Sequence, residues 1–192
     1  LSNPTSLYTK QPTVYYGLMY LAKNAKKEVK IHTPYIICND YMYNELKNIK
    51  VPTTIMTNSA ENNGNIFGAV DYLNHKKDII NTGVTIKEYE GGISYHGKSM
   101  TIDDDIAIVG SFNMDMRSAY IDTELMLVIN SKYINKQLKA SMEEYEKKAA
   151  TVKNETEYSH IPEGMKMKEL SDKKKNIKAW FGWAMNGLRF LF

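Results

Sequence analysis

The feature that most constrains this chain is a pair of short apolar runs separated by three consecutive aspartates, residues 103–105. Apolar and β-branched residues dominate the end of the first run and most of the second, as in strands. An aspartate cluster between two such runs is a turn signal. The sequence therefore predicts one strand near residues 95–102, a tight hairpin turn, and a second strand near residues 106–111.

Polar residues lie at the open end of this predicted hairpin. His96 and Lys98 are at the start of the first strand, and Ser111 and Asn113 are at the end of the second. An antiparallel hairpin returns to where it began, so these side chains should gather at one end. His96 and Lys98 are two residues apart and would share one face. Glu124, near the start of the next predicted strand, reaches the same end if that strand pairs beside the hairpin.

This combination of side chains suits a phosphoryl group. Lys98 supplies a positive charge, while Ser111 and Asn113 supply neutral donors for the non-bridging oxygens. His96 can attack phosphorus or transfer a proton, and Glu124 can orient the imidazole ring. A single histidine on a strand is more often an ordinary structural residue, but the whole set at one sheet end favours a functional site.

Asp103 has the opposite strand parity from His96. It is therefore expected to shape the turn or to pair with a basic group, rather than to touch the reacting atoms.

The spacing of these residues resembles the signature of the phospholipase D superfamily. The pattern H-x-K-x4-D-x6-G-S-x-N is met at every position, and Glu124 also matches. Thr33-Pro34-Tyr35, the segment 83–89 and Arg117-Ser118 resemble the C-terminal half of bacterial cardiolipin synthases and related phosphatidylserine synthase-like phosphatidyltransferases. The resemblance covers about residues 10–150.

The resemblance implies a site and a mechanism. One histidine attacks a phosphodiester and forms a phosphohistidine, and a second histidine protonates the leaving alcohol and then activates the incoming alcohol or water. His96 is expected in the acid/base role, without a metal or cofactor. Tyr35 is expected to bind substrate, and the residues expected to be catalytic are His96, Lys98, Asp103, Ser111, Asn113 and Glu124.

Relatives of this kind combine two copies of the motif, from two halves of one chain or from two subunits. His75 and Lys77 repeat H-x-K, but Thr82 replaces the aspartate and no G-S-x-N follows. This segment is predicted to be the solvated face of a helix. The second copy is therefore expected from another part of a longer chain or from a homodimer partner.

Strand-like and helix-like segments alternate along the chain, which predicts an α/β domain: a mixed sheet with helices on both faces, plus a C-terminal helical tail. Asp40 is expected to cap one helix and Ser131 another. Strands are predicted at 28–33, 53–57, 84–89 and, as a buried strand, 123–129. Helices are predicted at 12–25, 41–49, 68–81 and from 131 to about 150.

Composition sets wider bounds on this chain. Its 192 residues are enough for one domain, and its net charge of +3 is too small to indicate nucleic-acid binding. The single cysteine, Cys38, fits a reducing compartment. Apolar runs are shorter than a membrane span. Because the sequence begins at Leu1, we expect it to be a piece of a longer protein.

Two regions are predicted: a phospholipase D-like half-domain over 1–150 and a linker with a basic-aromatic segment over 151–192. Residues 173–192 combine lysines with Trp and Phe, a composition typical of an interfacial helix at an anionic membrane. Docking of this segment on the domain is the alternative. The expected location is the cytoplasmic side of a membrane, peripheral or through segments absent from this chain.

Two functions remain open on the sequence. The first is a phosphatidyltransferase or phospholipase that acts on phospholipids. The second is a homodimeric phosphodiesterase with one motif per subunit that acts on nucleic acid. An excised half-domain that is inactive alone is a third possibility.

Overall fold

The computed structural model describes residues 1–2, 11–181 and 189–191. An eight-stranded mixed sheet forms its centre, with a separate pair of two-residue strands beside it. The strands are β1 (Val29–His32), β2 (Ile36–Ile37), β3 (Thr53–Asn58), β4 (Thr85–Tyr89), β5 (Ser99–Ile102), β6 (Ile106–Gly110), β7 (Met114–Asp115), β8 (Met126–Asn130), β9 (Ala149–Val152) and β10 (Tyr158–His160). The helices are α1 (Thr13–Lys23), α2 (Asp40–Lys47), α3 (Ile66–Ile80), α4 (Met116–Tyr120), α5 (Lys132–Glu146) and α6 (Asp172–Phe181), followed by a 3₁₀ turn at Arg189–Leu191.

The strand order in the large sheet is β10-β9-β4-β3-β1-β5-β6-β8. β1, β3 and β4 are parallel to one another, whereas β5, β6 and β8 form an antiparallel meander that continues from β1. The small sheet pairs β2 with β7 in parallel. This topology brings the segment after β1 next to the segment after β6.

Both faces of the sheet are covered by helices, as the alternation of apolar and polar residues along β1 illustrates. Val29 and Ile31 belong to the main hydrophobic core, which also contains buried residues of α1, α2, α3 and α4. Lys30 and His32 point to the opposite face, where both lie close to Glu146 of α5. This arrangement confirms the predicted fold class.

Most predicted elements are present with small shifts at their ends. The α2 cap differs from expectation, because the Asn39 side chain accepts the Met42 amide and Asp40 is the first helical residue. Ser131 caps α5 as expected.

The predicted buried strand over 123–129 is instead the edge strand β8, which begins at Met126. Leu125 is 64% exposed and Leu127 is 58% exposed among the described residues, so one side of this segment faces outward there. Its apolar composition alone could not distinguish an edge strand from a buried one.

The segment after residue 150 is more ordered than the predicted linker. β9 pairs antiparallel with β4, and β10 pairs with β9, so these residues extend the sheet. A boundary at residue 150 would cut through β9. These strands are only four and three residues long, which is why their sequence does not stand out as sheet.

Within the basic-aromatic segment 173–192, Lys174 and Arg189 both contact the domain. Lys174 is 7% exposed, and its ammonium donates to the carbonyl oxygens of Ala60, Glu61 and Asn63. Arg189 donates to the Asp71 carboxylate and to the Cys38 carbonyl. Docking therefore accounts for Lys174, which we had expected to face lipid.

The exposed part of this segment includes Trp180, which is 85% exposed. Trp183, Phe192 and the side chains of Phe181 and Phe190 lie outside the described residues. No helix in the described part of the chain is both long and apolar enough to cross a membrane.

The repeated H-x-K at His75 and Lys77 lies on helix α3, as predicted. Lys77 is exposed, but Lys76 between them is buried and pairs with Glu88 at 2.7 Å. The prediction of a solvated helix face is therefore wrong for Lys76, because its ammonium pairs with the buried Glu88 carboxylate.

Candidate active site

His96 and Lys98 lie in an irregular segment that leads into β5, rather than on the strand as predicted. The Lys98 ammonium lies 2.8 Å from His96 Nδ1 and donates to the His96 carbonyl at 2.7 Å. Gly97 permits this curl, because a side-chain carbon at that position would collide with the Tyr95 hydroxyl. The two side chains meet through local backbone curvature and not through strand alternation.

Ser111 and Glu124 are joined directly at the end of β6. The Ser111 hydroxyl donates to the Glu124 carboxylate, and the Ser111 amide donates to the Leu125 carbonyl at 3.0 Å. The Gly110 amide also donates to the Lys98 carbonyl, so the two sides of the hairpin close beside the site. The predicted gathering of Lys98, Ser111 and Glu124 at one sheet end is therefore present.

Asn113 follows on the next turn and is held by Ser118. Its backbone amide and its side-chain amide both lie 3.2 Å from the Ser118 hydroxyl. Its side-chain oxygen is buried without a hydrogen-bond partner among the described residues. Asn113 thus lies near the site, with its NH₂ group directed at Ser118.

Tyr35 reaches the same end of the sheet from the turn after β1. The Thr33 hydroxyl accepts the Met114 amide at 3.1 Å, which ties this turn to the Asn113 segment. Tyr35 and His96 line a pocket of about 400 Å³. The other lining residues are Pro34, Asn63, Gly64, Asn65 and Ser94.

The structure does not bring Asp103 to this end. It occupies the hairpin turn at the other end of β5 with a positive φ of 52°. Its carboxylate accepts the backbone amides of Lys26, Lys27 and Glu28. Burial opposes its ionisation, but these amides outweigh burial and lower the pKa of Asp103. Its contacts support the turn-shaping role and not a place among the reacting groups.

The local electrostatics favour a neutral imidazole at His96. Partial desolvation and the nearby Lys98 ammonium both lower the pKa of His96. Burial also lowers the pKa of Lys98, while Glu124 and Asp115 act in the opposite direction. A neutral ring beside a cation can accept a proton or attack an electrophile.

Asp115 is a site residue that the sequence reasoning missed. It is buried, its carboxylate accepts the Ser118 amide at 2.5 Å, and it caps α4. Burial raises its pKa to about 6, the Ser118 hydrogen bonds oppose this shift, and Glu124 adds to it. Its position two residues beyond Asn113 and just before a short helix is the sequence signal that could have found it.

Among the described residues, no group of three or more His, Cys, Asp or Glu side chains could hold a metal ion.

Comparison with known proteins identifies the family. The family model described as "Cardiolipin synthase, PLD-like domain" matches residues 18–145, which is more than half of the chain. The chain belongs to this phospholipase D-like family. It is 30% identical to cardiolipin synthase 1 of Staphylococcus epidermidis over 157 residues, which are 80% of this chain and 31% of that protein. It is 32% identical to a cardiolipin synthase of Staphylococcus aureus over 127 residues, covering 65% of this chain and 25% of that protein.

Solved structures share the fold of this phospholipase D-like domain. Phosphatidylserine synthase of Haemophilus influenzae matches with a TM-score of 0.70 at 15% identity, covering 100% of this chain and 47% of that chain. Nuc of Salmonella typhimurium, a phospholipase D family member, matches with a TM-score of 0.58 at 15% identity, covering 71% of this chain and 89% of that one. Compared with the two staphylococcal cardiolipin synthases, the chain spans between a quarter and a third of their length.

Proposed function

We propose that this domain is one half of a phosphatidyltransferase or phosphodiesterase that acts on phospholipids. The observation that carries the proposal is the cluster at one sheet end, where His96 contacts Lys98 and the Ser111 hydroxyl contacts Glu124. A cation and a hydroxyl can hold the oxygens of a phosphodiester, and an imidazole can carry the proton of its alcohol. The match to cardiolipin synthases favours a phospholipid as the source of that phosphodiester.

In this proposal Lys98 neutralises the phosphate, and the ring of His96 handles the alcohol proton. The histidine of a second motif copy attacks phosphorus and forms a P–N bond. The negative charge of the bound phosphodiester favours protonation of His96, so that His96 enters the first step as imidazolium. As the P–O bond breaks, His96 gives this proton to the leaving alcohol oxygen. In the second step neutral His96 takes the proton of the incoming alcohol or water, whose oxygen displaces the partner histidine. Each cycle returns both imidazoles to their starting states.

The pocket beside His96 is the proposed place for the alcohol portion of the substrate. The residues of the described chain that line it offer amides, hydroxyls, backbone, the Pro34 ring and the His96 ring. The acid/base assignment requires the alcohol oxygen to lie within hydrogen-bond reach of His96. Tyr35 would then contact substrate as the sequence predicts.

A membrane surface is the proposed partner of the exposed face of α6. Lys173, Lys175 and Lys178 are exposed beside Trp180, while Lys174 anchors the helix to the loop at 60–63. Asn63 of that loop also lines the pocket beside His96. An anionic bilayer bound to α6 would therefore lie near the site.

A homodimeric nuclease is the second candidate function. Nuc is covered over 89% of its length by this chain, so its chain has the size of a single such domain. The same His96 and Lys98 could serve a nucleic-acid phosphodiester, with one motif from each subunit.

The test compares phosphatidylglycerol vesicles with single- and double-stranded DNA as substrates, in excess chelator. The assay uses the natural chain that contains this domain and a purified dimer of the domain. His96→Asn should lower phospholipid turnover by about 10³-fold or more, because proton transfer loses its carrier. His75→Asn is the matched control and should retain turnover within about twofold, because His75 lies on α3 in the incomplete motif.

Turnover of DNA and not of phospholipid would replace the first function by the second. Full phospholipid turnover in His96→Asn would remove His96 from the mechanism. A strict requirement for an added divalent metal would contradict the proposal that Lys98 neutralises the phosphate while the two histidines transfer the proton and the phosphoryl group.

A further inference from the structure

The side chain of Asn58, at the end of β3, joins three segments that surround the candidate site. It is 1% exposed. Its NH₂ group donates to the Pro34 carbonyl at 2.8 Å and to the Tyr95 carbonyl at 2.9 Å. Its oxygen accepts the Tyr95 amide at 2.7 Å and the Asn62 side chain at 3.2 Å. All four hydrogen-bonding positions of the amide are therefore used.

Two of these bonds hold both backbone groups of the residue that precedes His96. The Tyr95 ring is also held, because it packs against the rings of His32, Tyr89 and Tyr145. His96 itself is exposed and follows directly. The Tyr95 backbone thus fixes the start of the segment that carries His96 and Lys98 into β5.

The bond to Pro34 extends this fixation to the other wall of the pocket. Pro34 and Tyr35 line the same pocket as Ser94 and His96. Asn62, which bonds to Asn58, also donates to the Ile93 carbonyl at 3.2 Å. The Asn63 side chain also reaches the Pro34 carbonyl, at 3.4 Å. Asn58 is the amide that bonds to both Pro34 and Tyr95, and it therefore links the Tyr35 segment directly to the His96 segment.

We infer that Asn58 is a positioning residue for His96, which holds the imidazole at the Lys98 ammonium and at the pocket mouth. This inference rests on the proposed function only in taking His96 as the reacting group. A buried amide that served stability alone would have no reason to change the environment of an exposed imidazole. The two roles therefore predict different responses at His96.

Asn58→Ala removes all four bonds, and Asn58→Asp keeps an acceptor for the Tyr95 amide but loses both donors. The matched control is Asn135→Ala. Asn135 is also 1% exposed and donates to the Ile106 carbonyl at 2.7 Å, but Ile106 begins β6 at the turn end of the hairpin. The measurements are unfolding in urea, the His96 imidazole titration followed by ¹⁵N NMR, and the affinity for inorganic phosphate.

We expect both Asn58 variants to move the pKa of His96 back toward its ordinary value, since the ring loses its enforced proximity to Lys98. Phosphate affinity should fall by about tenfold, which corresponds to the loss of one well-placed charge-assisted contact. Asn135→Ala should leave the pKa of His96 in place and change phosphate affinity by less than about twofold, while it also lowers stability. Asn62→Ala is a milder change and should move the pKa of His96 in the same direction by a smaller amount.

An unchanged His96 titration and phosphate affinity in Asn58→Asp and Asn62→Ala would overturn the inference, whatever the loss of stability. Equal effects of the Asn135 variant would overturn it as well. If Asn58→Ala does not fold, Asn58→Asp and Asn62→Ala still test the inference. Absence of phospholipid turnover in the wild-type protein would contradict the proposed function, but it would leave this result standing.

Discussion

At the residue scale, the site consists of groups whose charges are set by their neighbours. Partial desolvation and the nearby Lys98 ammonium both lower the pKa of His96, which favours the neutral ring in the free site. Glu124 and Asp115 act on Lys98 in the opposite direction, toward the charged form. The resulting pair of a neutral base and a cation is available near neutral pH. His96 and Lys98 are two residues apart in the sequence, which is why the motif alone predicted that their side chains would lie together.

Asp115 gives a prediction about the pH dependence of stability. Burial raises its pKa to about 6 in the folded protein, above the ordinary value of 3.8. The folded state therefore binds more protons than the unfolded state between these values, and stability from this group falls as pH rises. Between pH 4.5 and pH 7.5 the loss should be about 2 kcal/mol.

The test of this prediction is urea unfolding of the wild type and Asp115→Asn at several pH values. Asparagine can still accept the Ser118 amide as an N-cap, but it does not titrate. The free energy of unfolding of the variant should rise by about 2 kcal/mol relative to the wild type across this range. Parallel pH profiles for the two proteins would show that Asp115 ionises normally.

At the element scale, the hairpin was predictable and the segment that enters it was not. The turn at 103–105 and strand β6 follow from local residue types. The position of Asp103 in this turn is fixed further by contacts from outside the hairpin, because its carboxylate accepts three backbone amides from the segment 26–28. By contrast, His96 and Lys98 leave strand geometry because Tyr95 is held by Asn58, which is distant in sequence. Alternation patterns contain no information about such a contact.

Helix α5 shows a second limit of sequence reasoning at this scale. Its end was expected near residue 150, but it stops at Glu146 and β9 begins at Ala149. Burial disfavours the charged form of Glu146, yet hydrogen bonds from His32 and Lys87 and the charge of Lys30 outweigh it and lower the pKa of Glu146 to about 2. The helix end is thus fixed by residues of β1 and β4, which no local pattern reveals.

At the scale of the whole molecule, the C-terminal segment is both docked and exposed. Lys174 and Arg189 hold it on the domain through buried contacts. Lys173, Lys175, Lys178 and Trp180 remain on the outside. The sequence offered membrane binding and docking as alternatives, and this division allows both to act on one helix.

The exposed residues of α6 predict binding to anionic vesicles. Replacing Lys173, Lys175 and Lys178 by Gln should weaken binding by about 100-fold, since each lysine contributes about 1 kcal/mol near such a surface. Trp180→Ser should weaken it further, because the indole ring can enter the interfacial layer. Co-sedimentation with anionic and zwitterionic vesicles at low and high salt measures both effects.

The matched control replaces Lys47, Lys50 and Lys77, which are exposed elsewhere, by Gln. It changes net charge equally and should retain most of the binding at low salt. Binding that is equal in the two triple variants, or independent of anionic lipid, would leave α6 as a docked helix without a membrane role.

The central claim is that His96 and Lys98 form one phosphate-binding site, and titration with inorganic phosphate tests it most directly. The readout is the ¹⁵N NMR signal of the His96 ring, with His75 as the internal reference. We expect a saturable shift at His96, a rise in its pKa as the anion binds, and little change at His75. Lys98→Met should weaken phosphate binding by at least about tenfold. Equal responses of the two histidines, or unaltered binding in Lys98→Met, would contradict the account.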